Sequence, residues 1–332
     1  MLPGSLSGLP FLLMLGACSS SDGAADSSGG TSMGAGTSAA SAGSSGTADP
    51  TGAEGASISV GDSSGSGDPT GVGESSSSTT GGEIPTEHFS FFVTSLRALQ
   101  ELSGSQEGFG GDLRFGEEGP GAGLRGADKI CATIAEQSMP GAANKQWRAF
   151  LSATADENGD PVSAIDRVGD GPWYDRLGRT FALSKADLLN ERPLNIDPAI
   201  KDDFPNEDGV PNHQPDPTQP EVDNHDMLTG SAADGTIYSA SATCLDWTSA
   251  AGDVQTEGRP RVGHSWPRYG GPGGGGGGPG GDLDPAHWIS SLDEAGCAPG
   301  VNLIEMGPPD PNVPTVGSGG GYGGFYCFAL YP

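Results

Sequence analysis

Large apolar side chains are nearly absent from Ser19 to Ile84 and recur in short bursts after residue 86. Phe91-Phe92-Val93-Thr94-Ser95-Leu96, aromatic and β-branched, predicts an opening strand, followed by a Gly-rich connection to Gly123. Ala127, Ile130, Cys131, Ile134 and Ala135 recur on one face at helical spacing, which predicts a core-facing helix over residues 126–138, stopped by Pro140. Residues 147–151 predict a strand, residues 161–165 the start of a short helix, and Trp173-Tyr174 with residues 180–183 a hairpin. From about 190 to 230 there is no period but there are seven prolines and many acids, a long loop of the kind that is either functional or disordered. Thr236-Ile237-Tyr238 and residues 244–248 read as short strands, with Gly263-His264-Ser265-Trp266 beyond them. Residues 270–281 read as an external glycine loop, and residues 324–330 as a closing strand. Few helices in front and short strands behind predict a compact α+β domain.

Residues 9–15 form an apolar run too short to span a bilayer but of the right size for a signal-peptide core. The run ends in Leu15-Gly16-Ala17-Cys18, which resembles the bacterial lipobox, so residues 1–17 are expected to be a lipoprotein signal peptide and Cys18 the lipidated residue. Such signals carry a positive start, yet no Lys or Arg precedes Arg97, which a start codon upstream of Met1 would explain. Residues 18–85, Ser/Gly/Thr-rich with eight acids and no base, cannot bury enough surface to offset their ordering entropy, and read as a disordered tether.

Composition sharpens this picture. Gly 58 and Pro 27 make up about a quarter of 332 residues, the level of low-complexity sequence, so an ordinary core fits only if it is confined to residues 86–332. A net charge of −28 excludes nucleic acid and heparin-like polyanions as partners, which leaves the lipid at Cys18 as the route to a membrane. Four cysteines remain: Cys131, Cys244, Cys297 and Cys327. In an exported domain they suggest two disulfides in any of three connectivities, and none has zinc-finger spacing.

Gly123-Leu124-Arg125-Gly126-Ala127-Asp128, then Cys131, then Trp147-Arg148-Ala149-Phe150-Leu151-Ser152, resembles the endostatin domain of collagens XV and XVIII. The likeness continues through Asp166-Arg167, residues 184–189, Gly230-Ser231, Cys244 with Trp247-Thr248, Ala295-Gly296-Cys297 and the last strand. It implies a C-type lectin-like fold over residues 86–332, with insertions at about 190–230 and 268–286, and the pairs Cys131–Cys327 and Cys244–Cys297. Two endostatin properties do not carry over. Residues 86–332 hold 35 acids against 15 bases, unlike a heparin-binding surface, and only His88 lies where the zinc-binding histidines would be.

The acidic loop is the leading candidate site. Flexible, oxygen-rich loops suit Ca²⁺, and Asp202, Asp203, Asn206, Asp208, Asp223, Asn224 and Asp226 are the expected ligands, the alternative being a solvated acidic loop. His213 and His225 with Asp223 and Asp226 form a second, transition-metal candidate. Asp156-Glu157-Asn158-Gly159-Asp160 imitates an EF-hand start but has Gly and Arg167 at the wrong positions, and reads as a turn. Gly263-His264-Ser265-Trp266-Pro267 lacks the last Gly of a nucleophile elbow. Trp147 and Trp247 are expected in the core, and Trp266 and Trp288 at an exposed ligand-binding surface. The expectation is a lipid-anchored protein of the bacterial cell envelope with a non-catalytic binding or adhesion domain for a glycan or protein. An enzyme on the same fold is the rival, although the paired cysteines and Arg-Leu-Pro-Thr-Glu segment of formylglycine-generating enzymes are missing. A structural envelope protein is the third class.

Overall fold

The computed structural model describes residues 87–213, 224–266, 287–304 and 308–331. The expected signal peptide, Cys18, the tether, the insertion at 268–286 and Asp223 lie outside these. In chain order the principal elements are β1 (Phe91–Val93), α1 (Leu96–Ser103), α2 (Ala122–Ser138), β2 (Trp147–Ala149), α3 (Ala164–Arg167), β3 (Trp173–Tyr174), β4 (Thr180–Ala182), α4 (Lys185–Leu188), β5 (Asp226–Leu228), α5 (Val254–Glu257), β6 (Arg261–His264), β7 (Leu292–Asp293) and β8 (Gly321–Ala329).

The nine residues of β8 are all buried, and the sheet is assembled around them in the order β1-β8-β5-β6-β7, with β2 also paired to β8. β1 runs antiparallel to the second half of β8, placing Phe92 opposite Cys327, and β2 does the same, placing Ala149 opposite Cys327. β5 lies parallel to the first half of β8, with Asp226 opposite Gly321. β6 continues the sheet antiparallel to β5, and there Asp226 faces His264. β3 and β4 form a separate two-stranded hairpin, as the sequence pattern suggests.

The helical face of α2 packs on this sheet: Ala127, Ile130, Cys131, Ile134 and Ala135 are fully buried. Of the three connectivities open to four cysteines, the structure has Cys131–Cys327 and Cys244–Cys297, the pairs the endostatin resemblance implies. The first bolts the middle of α2 to the central strand. On the other side of the core, Phe91 stacks on Phe181 at 3.4 Å between ring centroids, and Trp288 packs against Phe150, Phe181 and Tyr326. Trp147 and Trp247 are core residues, as expected.

Three segments depart from the sequence reading. Thr236-Ile237-Tyr238, expected as a strand, makes only an isolated bridge from Ile237 to Ser231. The expected Gly-rich connection opens with α1, whose N-cap Ser95 accepts a hydrogen bond from the Ala98 amide and whose end is Gly104 in the left-handed region at φ 69°. The strand expected over residues 244–248 is instead a left-handed turn: Cys244, Leu245, Asp246 and Trp247 have φ of 49°, 55°, 55° and 63°. Such a run of L-residues is costly and persists only where its surroundings impose it. Here the disulfide holds Cys244, the Asp246 carboxylate accepts from the Thr154 amide and hydroxyl, and the Trp247 indole N–H donates to the Ser152 carbonyl.

This turn fits only because α2 presents glycine. A Cβ at Gly123 would lie 2.1 Å from the Asp246 carbonyl oxygen, and one at Gly126 would lie 2.1 Å from that of Arg114. Both obstacles are backbone, so nothing small can swing aside. Gly126→Ala is therefore expected to destabilise the fold by about 2–3 kcal/mol despite alanine's higher helix propensity. Urea denaturation of the variant checks this, and a midpoint equal to or above the parent's would contradict it.

Candidate metal centre

At the end of the sheet where β5 begins and β6 ends, cross-strand register brings two chemically demanding residues face to face. Asp226 and His264 are directly opposed, so their side chains leave the sheet on the same face. His264 Nε2 lies 3.1 Å from Asp226 Oδ1, and His225 Nε2 lies 3.5 Å from the same oxygen. The two imidazoles meet edge to face at 4.1 Å between centroids. All three residues are buried, at 1%, 0% and 3% exposure for His225, Asp226 and His264. One donor atom from each lies within 4.8 Å of the others, a group that fits a metal ion.

The surroundings hold these groups in place. The far nitrogen of His264, Nδ1, lies 3.3 Å from the Ser291 hydroxyl, which directs Nε2 towards Asp226. The His264 amide donates to the His287 carbonyl and the Ser265 amide to the His225 carbonyl, so both histidine-bearing segments are pinned by backbone. Glu294, fully buried just after β7, lies on the other side of Asp226. Its Oε2 accepts from the amides of Gly319, at 2.8 Å, and Ala295. A Cβ at Gly319 would sit 2.7 Å from Asp226 Oδ2 and 3.4 Å from Glu294 Oε1, so both oxygens converge on that glycine.

Two buried carboxyls side by side cannot both ionise cheaply. Burial and then the Asp226 charge push Glu294 well above the ordinary carboxyl range. Burial opposes the charge on Asp226 as well, but His225 and the hydrogen bond to His264 outweigh it and hold Asp226 below its ordinary value. Apart from the two imidazoles and Glu294, no described group meets the Asp226 oxygens with hydrogen-bonding geometry. A buried carboxylate with so few donors is costly unless a cation meets it. A divalent ion between Asp226 Oδ1 and the two imidazole nitrogens would supply that partner.

The residues expected to form a site from sequence are divided by the structure. Asn224 and Asp226 are buried, and Asp226 belongs to the histidine cluster. Asp202 is exposed. Asp203 accepts from the His213 backbone amide at 3.0 Å and lies 3.3 Å from its ring, while the Asn206 side chain caps its own turn through the amides of Asp208 and Val210. Asp208 pairs with Arg97 at 2.9 Å. Among the described residues these acids form no common donor group. Trp266 is half-buried beside the cluster, its ring 5.0 Å from His225 and 4.5 Å from His213. Trp288, expected at an exposed surface, is fully buried in the aromatic core, with its N–H donating to the Leu188 carbonyl.

No family model and no curated protein matches this chain.

Glu207 forms a separate buried acid in the same loop, accepting from the Ser95 amide at 3.0 Å and hydroxyl at 2.6 Å. Burial raises its pKa above the ordinary value, and the Ser95 bonds offset this only in part. A carboxyl raised on folding stabilises the fold while protonated, below the unfolded value, and that contribution fades as pH climbs through the folded value. Glu207→Gln is thus expected to match the parent near pH 4 and to gain on it progressively towards pH 8. Urea midpoints across that range check this, and a pH-independent difference would sink it.

Proposed function

We propose that this chain is a lipid-anchored protein of the bacterial cell envelope, tethered through residues 18–85, whose folded region is a non-catalytic binding module built around one divalent transition-metal ion. The carrying observation is the buried His225–Asp226–His264 group, one donor atom from each lying within 4.8 Å of the others. Two imidazoles and a carboxylate suit Zn²⁺ and its first-row neighbours, whereas Ca²⁺ takes six to eight oxygens. Burial of every donor favours an ion that stabilises the domain over one that meets substrate. Calcium in the acidic loop has less support, because Asp203, Asn206 and Asp208 already have partners.

The proposal keeps the endostatin-like, C-type lectin-like reading of the domain. What supports it is the pairing of the cysteine on the first long helix with that on the last strand, around a mixed sheet. The ligand is a glycan or a protein, met by the surface around Trp266. A metal-dependent enzyme is the second reading, favoured by the number of donors: three protein ligands are what catalytic zinc sites present when they keep a position for water.

The test is elemental analysis of the chain purified without an affinity tag, followed by reloading with Zn²⁺, Mn²⁺, Co²⁺ or Ca²⁺. About one equivalent of a transition ion, lost in His264→Ala, is expected. A chain that takes up none of these transition ions, as isolated or on reloading, would overturn the metal reading.

A further inference from the structure

We infer that Arg192 is the positioning residue of the metal centre, an inference that rests on the metal reading above. Arg192 holds the backbone that carries one of the three donors. It is 6% exposed, and its guanidinium fork grips two consecutive carbonyls at the end of β6: Nη1 donates to the His264 carbonyl at 2.6 Å and Nη2 to that of Ser265 at 2.7 Å. Nε donates to the Lys201 carbonyl at 3.0 Å, and the guanidinium lies 4.0 Å from the Phe204 ring centroid.

Two features make this more than general packing. The grip falls on the residue whose imidazole faces Asp226, at the point where the sheet ends. Beyond it, among the described residues, backbone pairing towards β5 continues through the Ser265 amide on the His225 carbonyl. The fork also has two near-parallel donors of fixed geometry, which sets the orientation of that peptide as well as its position. A lysine at the same place offers a point charge and one well-aligned bond. Losing the fork lets the His264 peptide turn, and a small rotation there moves Nε2 out of the donor triangle. Residues outside the ligand set that orient a ligand typically account for 10–100-fold in metal affinity.

The experiment is a Co²⁺ titration of the whole chain, reading affinity and the visible ligand-field bands, for the parent, Arg192→Met, Arg192→Lys and Phe204→Leu. The parent is expected to bind one equivalent. Arg192→Met should bind at least tenfold more weakly with displaced bands, and Arg192→Lys should recover part of the affinity. Phe204→Leu, which removes the stacking surface but leaves the fork, should lower thermal stability and leave the bands unchanged. A parent with no Co²⁺ bands would defeat the metal reading itself. If the parent binds, then parent-like affinity and bands in Arg192→Met overturn the positioning role. Should the Met variant not fold, Arg192→Lys decides alone: affinity within twofold of the parent, with unchanged bands, overturns it.

Discussion

Removing the Cys131–Cys327 bridge is expected to unfold the domain, or to leave it so marginal that a low urea concentration does so. The bond joins residues 196 apart in sequence, so it closes nearly the whole described region into one loop. In the chain-entropy model a loop of that size is worth about 5 kcal/mol, and the Cys244–Cys297 loop, with a separation of 53, about 4. Whole domains are stable by only about 5–15 kcal/mol, so either loss is a large fraction of the total. Position reinforces the entropic ranking. Cys327 is at the centre of β8, flanked by Phe92 on one neighbouring strand and Ala149 on the other, and both cysteines of the bridge are fully buried. Opening it frees α2 from the sheet and leaves two buried sulfurs without their bond. The double replacement Cys131→Ser with Cys327→Ser, followed by circular dichroism during urea titration, should show a far lower midpoint than the parent. The corresponding Cys244→Ser, Cys297→Ser protein should fall in between. A Cys131/Cys327 double variant within about 1 kcal/mol of the parent would mean that packing, not the cross-link, carries the fold.

How much of this was legible in the sequence depended on the length of each signal. The apolar face of α2 repeats over several turns, so its period is unmistakable, and β8 announces itself through consecutive aromatic residues. α1 does not: its eight residues hold only Leu96, Leu99 and Leu102 as large apolar positions, too few turns for a period, inside a stretch dominated by glycine. The left-handed turn at residues 244–247 could not have been read locally. Local preference opposes it, and it is imposed by a disulfide and by Thr154, about ninety residues away in the chain.

The site was half legible. His225 and Asp226 were visible as a histidine beside an acid, but their partner His264 lies on another strand and joins them only through the β5–β6 register. His264 follows Arg261-Val262-Gly263, a stretch too short and too mixed for a period, so nothing local marks it as a partner. Density of acids in the loop was a poor guide, because like charges spread apart and find separate partners, Asp208 taking Arg97 and Asp203 taking His213. Trp288 misled for a related reason. Its neighbourhood in sequence is glycine-rich, but its neighbourhood in space is Phe150, Phe181 and Tyr326.

Asp226→Asn is expected to separate a ligand from an ordinary buried ion pair. Without metal, Asp226 is a buried carboxylate held ionised by His225 and His264, beside a Glu294 carboxyl whose pKa its charge helps to raise. Replacing it by the isosteric amide removes the desolvation of one buried charge, the same charge that raises Glu294. The metal-free variant should therefore unfold at a temperature equal to or above that of the metal-free parent. With metal the order should reverse. At a thousandfold excess of Zn²⁺ over its dissociation constant, the parent gains about 4 kcal/mol, which is about 10 °C for a domain of this size. The amide variant should bind at least a hundredfold more weakly, and would keep less than half of that gain. Because metal competes with protons for the two imidazoles, the parent's gain should also shrink as pH falls. If Asp226 instead served only as the counter-ion of His225 and His264, Asp226→Asn would lower the unfolding temperature in the absence of metal, and Zn²⁺ would raise neither protein. Thermal unfolding of both proteins, with Zn²⁺ and with a chelator, yields the four temperatures needed, and it is the crossing of the two pairs that marks Asp226 as a ligand.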